Sequence, residues 1–187
     1  MAKAPGGPAE PSSGWRAYQR EITFLVLFVV ILGGGFALIA WQPVNDHAVV
    51  PFTAAIARTS AVVLDVIGQE IRIEGTRVYG EDFAVDIENG CNGIEALIIF
   101  LAATLSFPAP WKARLTGLAL GVIGIQIVNL IRVVALFLTG VYFPSFFDSS
   151  HTVVWQTVVI LFAVLLWVFW AQRFAVRPAA ASSGNAV

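Results

Sequence analysis

The sequence predicts an all-α integral membrane protein with about four transmembrane helices, an outer interfacial helix and a short extracytoplasmic β-hairpin. Three observations carry that reading. Hydrophobic residues make up 58% of the 187 positions and charged residues 12%, against about 45–50% and about 25% in soluble domains. Nearly charge-free runs recur at lengths near the roughly 20 residues that cross the hydrocarbon of a bilayer. Basic and acidic residues segregate into different connecting segments, as they do on the two sides of a membrane. Eleven Lys and Arg stand against twelve Asp and Glu, so there is no basic surplus to bind a nucleic-acid backbone. The lipid bilayer is the expected partner and nucleic acid is not. A single cysteine excludes an intramolecular disulfide framework and a cysteine-rich metal site. No metal-ligand spacing, phosphate loop or Gly-x-Ser-x-Gly elbow is present, so neither metal nor cofactor is expected.

Residues 1–20, rich in Pro, Gly, Ser and Ala, cannot bury enough apolar surface to order themselves and read as a flexible cytoplasmic tail. Residues 174–187 read the same way, leaving 21–173 as the membrane-embedded domain. The first span is Ile22 to Trp41, in which Gly33-Gly34-Gly35 either admits a close neighbour or loosens the helix. Further spans are expected at Ile94 to Phe107, ended by Pro108 and Pro110, at Leu115 to Leu138, and at Val153 to Trp170. Arg16 and Arg20, Lys112 and Arg114, and Arg173 and Arg177 flank these spans on one side, which the positive-inside rule makes cytoplasmic. Glu70, Glu74, Glu81, Asp82, Asp86 and Glu88 fall between spans and belong outside. Residues 48–68 are long enough to span, but a crossing there would turn every later basic loop outward. They are read as an interfacial or re-entrant helix on the outer side. Polar–apolar alternation over Glu70–Glu74 and again over Phe83–Ile87 predicts the hairpin.

Chemistry-bearing residues gather at one depth. Cys91 lies in Asn89-Gly90-Cys91-Asn92-Gly93, where the acidic outer segment turns into the second span. With Asn92 as N-cap, helix N–H groups there could lower a thiol pKa and prepare a nucleophile; the alternative is a small buried thiol. Glu95, one turn on, opposes thiol ionisation or closes a capping box with Asn92. Arg132 lies inside the third span, about 27 Å above Arg114 at about 1.5 Å per residue. A buried arginine there marks a functional site unless it snorkels to the headgroups. Asn129, one turn earlier, either orients Arg132 or makes a helix-packing hydrogen bond. His151 opens the last span at the same outer level, whereas His47 reads as loop.

The blocks Asn89-Gly90-Cys91-Asn92-Gly93-Ile94-Glu95-Ala96, Asn129-Leu130-Ile131-Arg132 and Ser150-His151 resemble the exosortase/archaeosortase family of membrane cysteine transpeptidases. They occur in the family's order over roughly Phe83 to Trp170, in a compact form most similar to the H-type exosortases. The resemblance implies that Cys91 is the nucleophile, Arg132 the family arginine and His151 the third member, with Asn129, Asn92 and Glu95 in support. It also implies a multi-pass protein of a prokaryotic inner membrane whose site faces the extracytoplasmic side. The implied partners are exported proteins carrying a C-terminal sorting signal of motif, transmembrane helix and basic tail. Two other functions fit the residues alone. One is a small transporter subunit or assembly factor, in which Arg132 and Glu95 would pair within the membrane. The other is a purely hydrolytic membrane cysteine protease.

Overall fold

The computed structural model describes residues 14–147 and 150–175; of the tails expected at 1–20 and 174–187, residues 1–13 and 176–187 lie outside them. Helix α1 runs Gly14–Ala40, so the helix starts within the segment expected to be tail. Helix α2 is continuous over Gln42–Val66, with a π-helical turn at Asn45–Val49. Strands β1 (Arg72–Glu74), β2 (Arg77–Tyr79) and β3 (Ala84–Asp86) follow. Helices α3 (Ile94–Ser106) and α4 (Trp111–Tyr142) come next. The chain ends in α5 (Gln156–Trp170), flanked by π-helical turns at Ser150–Trp155 and Ala171–Ala175.

Helix α3 is the centre of the bundle, and its end is written in sequence: Phe107 precedes a proline and so leaves the helix in an extended conformation, ψ 136°. Phe24 of α1 meets Phe107 edge-on at 6.3 Å, while Gly35 lies against Ile98, where a β-carbon would sit 2.7 Å from its side chain. The two helices are therefore antiparallel. Gly35 uses the close approach predicted for the glycine patch, whereas Gly33 and Gly34 face open space. Helix α4 returns antiparallel to α3, with Phe100 filling the notch at Gly121 and Thr104 that at Gly117. Trp170 closes the same end by donating Nε1–H to the Ala113 carbonyl at 2.7 Å. Exposed apolar side chains such as Val29, Ile123, Ile127, Leu161 and Leu165 cover the outer faces of these helices, as a lipid-facing surface requires.

Four helices are long and apolar enough to cross a membrane, spanning Tyr18–Ala40, Gln42–Val66, Trp111–Tyr142 and Val153–Ala175. Three coincide with expected spans. The exceptions exchange places: α3 has only 13 residues, about 20 Å, and α2 is a 25-residue helix where an interfacial segment was predicted. Packing distinguishes the two. Helix α3 lies among α1, α4 and α5, whereas Ala57, Ala61 and Leu64 of α2 pack on Val133 and Phe137 in the last third of α4 and on Val78 of the sheet.

The sheet departs from the predicted hairpin. It is a three-stranded meander in the order β1-β2-β3, with Ile73 opposite Val78 and Val78 opposite Val85. Strands β1 and β3, the predicted partners, never pair. Three residues are too few for alternation to announce β2, which is held by its neighbours on both sides and by the fully buried Val78. Thr76 and Arg77 both donate to the Asp86 carboxylate at 2.7 Å, which holds Asp86 below the usual carboxylate range, Arg77 being the larger cause.

Candidate active site

The segment Ile87–Gly93 crosses from β3 to α3 and carries Cys91 at its tip. Two glycines flank the cysteine with left-handed backbones, Gly90 at φ 91° and Gly93 at φ 77°, a region costly for a side chain. Gly93 also lacks room for one, since a β-carbon would stand 3.0 Å from Asn129 Cγ and 3.1 Å from Gln126 Nε2. The turn is closed by Cys91 N–H donating to the Glu88 carbonyl at 3.0 Å.

Two asparagines fasten this turn. Asn92 is buried, and its Oδ1 accepts the Ile94 N–H at 3.0 Å, capping α3 as predicted although Gly93 occupies the formal cap position. Its Nδ2 donates to Thr53 Oγ1 at 2.9 Å, and Thr53 in turn donates to the Val49 carbonyl at 2.8 Å. Asn89 Nδ2 donates to Asn45 Oδ1 at 3.0 Å. The cysteine turn is thereby tied to the start of α2, a connection that nothing in the small-residue sequence around Thr53 announces. The predicted Asn92–Glu95 capping box is absent among the described residues, because Glu95 turns toward Gly90 and makes no bond to the Asn92 backbone. His47, read as loop, sits in the π-helical turn and reaches the Pro43 carbonyl at 2.9 Å.

Three distant segments meet at the thiol. Cys91 Sγ lies 2.7 Å from His151 Nε2, within hydrogen-bond reach whichever atom holds the proton. Arg132, only 3% exposed, donates from Nη1 to the Gly90 carbonyl at 3.2 Å and from Nη2 to Cys91 Sγ at 3.6 Å. The guanidinium does not snorkel: it turns into the protein and grips both the turn and the sulfur. Helix α4 is unbroken over these turns, so Gln126, Asn129 and Arg132 share a face at intervals of three. Asn129 is fully buried, and its amide atoms, those of Gln126 and Arg132 Nε have no hydrogen-bond partner among the described residues. The sequence signal for Gln126 is its spacing of three from Asn129.

The thiol is pushed above the ordinary cysteine range, first by burial, then by the charges of Glu88 and Glu95, with Arg132 opposing. The lowering expected from the start of α3 is thus outweighed. Burial and the two carboxylates favour a neutral thiol, held within hydrogen-bond reach of the His151 ring.

No curated protein and no solved structure matches the chain. The family model for transmembrane exosortases (Exosortase_EpsH) matches residues 12–170, a stretch that includes the cysteine turn, the arginine and the histidine, and the compact H-type form is consistent with it. The protein is a multi-pass membrane protein and belongs to the transmembrane exosortase family.

Proposed function

We propose that this chain is a membrane-embedded cysteine protease and transpeptidase that cleaves C-terminal sorting signals of exported proteins through a thioester on Cys91. The observation that carries this reading is the 2.7 Å contact of Cys91 Sγ with His151 Nε2 beneath the Arg132 guanidinium. In the first step His151 Nε2 takes the thiol proton, the sulfur bonds to the scissile carbonyl carbon and the carbonyl electrons move to oxygen. Arg132 Nη2, already directed at the sulfur, stabilises that oxyanion. The C–N bond then breaks, and His151 returns its proton to the leaving amine. An amine acceptor or water attacks the thioester, giving transfer or hydrolysis.

The membrane supplies the substrate geometry. From Trp111 to Arg132 is 21 residues of helix, about 31 Å, close to the thickness of a bilayer's hydrocarbon. With Lys112 and Arg114 cytoplasmic, the site lies at the outer boundary, and the acidic sheet and α2 lie beyond it. A substrate whose own helix crosses beside this bundle presents its scissile bond at that depth without a search in solution. A transporter subunit would instead pair Arg132 with Glu95 inside the membrane, and Arg132 bonds to Gly90 and Cys91. The test is co-expression with a substrate ending in a motif, a transmembrane helix and a basic tail, following its C-terminus by mass spectrometry. Wild type removes the tail. The Cys91→Ala variant, present in the membrane in equal amount, leaves it intact; tail removal by that variant would overturn the proposal.

A further inference from the structure

Catalytic imidazoles need a group that fixes the plane of the ring, since a nucleophile and its base must stay aligned while the proton moves. At this site the described hydrogen bond of the His151 side chain is the one to Cys91. A flat partner lies four residues earlier in the sequence. Phe147 stacks on the imidazole with ring centroids 5.9 Å apart and planes 6° from parallel. Phe147 is itself held edge-on by Phe83 at 5.2 Å, and Phe83 by Phe137 of α4 at 5.8 Å. Glycines make room for the row. The Phe83 ring occupies the space where Gly140 would carry a β-carbon, and Phe137 comes within 2.7 Å of that position at Gly80.

We propose that Phe147 is the positioning residue for His151, setting the imidazole plane that faces Cys91, and that Phe83 braces it from the loop between β2 and β3. This inference rests on the reading of Cys91 and His151 as nucleophile and base. The row Phe137–Phe83–Phe147–His151 joins a helix, the outer sheet and the proton carrier in one line of ring contacts. Apolar stacking restricts rotation of the imidazole without offering a charge, so the loop between β2 and β3 has a part in catalysis without giving the thiol a polar partner. Phe83 lies between β2 and β3, which positions it to transmit any displacement of the sheet to the base.

The test compares Phe147→Leu, which keeps apolar volume and loses the flat face, with Phe147→Tyr, which keeps the face. In purified membranes, the rate of Cys91 alkylation by a water-soluble maleimide near pH 7 reports the thiol–imidazole couple without any substrate. Single-turnover cleavage and its substrate dependence are then measured on the same preparations. Phe147→Leu is expected to slow the cleavage step by about 10-fold to 100-fold, the scale of a misplaced catalytic group, to leave half-saturation within about twofold, and to change the alkylation rate. Phe147→Tyr restores both. Phe83→Leu gives a smaller loss of the same kind. Alkylation and cleavage by Phe147→Leu within twofold of wild type would overturn the positioning role, as would a tyrosine variant no better than the leucine one. Failure of wild type to cleave, with alkylation still dependent on the ring at 147, would instead overturn the peptidase reading and leave the Phe147–His151 contact standing.

Discussion

The two ends of the bundle are built from the same helices and held by opposite means. At the Trp170 end the contacts are of shape: Trp170 and Thr104 enter the notch at Gly117, Phe100 that at Gly121, and Phe107 meets Trp167 and Trp170 edge-on at 5.6 and 6.0 Å. Among the described residues, the one polar contact between α5 and α4 there is the Trp170 bond to Ala113. At the Cys91 end, hydrogen bonds from Asn89, Asn92 and Arg132 fasten a turn built on two glycines with left-handed backbones. Contacts of shape offer no polar group to a substrate, even where an apolar groove of about 400 Å³ lies beside Phe100 and Trp167. Polar bridging leaves side chains whose partners can be exchanged, as catalysis needs. Stability and activity should accordingly respond to substitutions at different ends.

The largest separation is expected at Arg132. Lysine carries the charge but lacks the fork that reaches Gly90 and the sulfur together. Single-turnover cleavage by Arg132→Lys should fall about 100-fold to 1000-fold, roughly 3–4 kcal/mol of barrier, with substrate still bound and the melting midpoint close to that of wild type. A rate within about threefold would place Arg132 outside the chemistry.

At the opposite end, Gly121→Val drives a side chain into the Phe100 ring and should cost about 1–3 kcal/mol of stability by overpacking. Denaturant unfolding in detergent measures that loss, and the rate per folded molecule should be unchanged. A normal midpoint with depressed activity would reverse the assignment of the two ends.

A smaller effect sharpens the account of the thiol. Glu95 is among the charges that hold Cys91 in its neutral form. Removing that charge in Glu95→Gln should bring thiol ionisation down the pH scale, so maleimide labelling at pH 7 should rise about twofold to fivefold. Its alkaline limb should move to lower pH. An unchanged limb would show that Glu95 has no part in holding the thiol neutral.

How much of this was legible in the sequence differs between the ends as well. Helices α1 and α4 are long apolar runs, and the proline after Phe107 marks the stop of α3, so one-dimensional patterns suffice for them. Charge counting put α2 on the outer side, but it did not reveal the face that holds the helix there, on which Ala57, Ala61 and Leu64 are buried against α4 and the sheet. Strand β2 was missed because three residues carry no period. At the site, Cys91, Arg132 and His151 stood out as costly residue types at one depth, and Asn129 by its spacing from Arg132. Thr53, Phe83 and Phe147 did not, because a threonine among small residues and phenylalanines among 14 acquire meaning only from what they touch.

The central claim is that Cys91 carries the acyl group. It is tested most directly by quenching a single turnover in acid and measuring the mass of the peptide containing Cys91. A mass increase equal to the amino-terminal part of the substrate is expected, released by hydroxylamine and absent from Cys91→Ser. Turnover in which no adduct ever forms on Cys91, or an undiminished rate in Cys91→Ser, would contradict it.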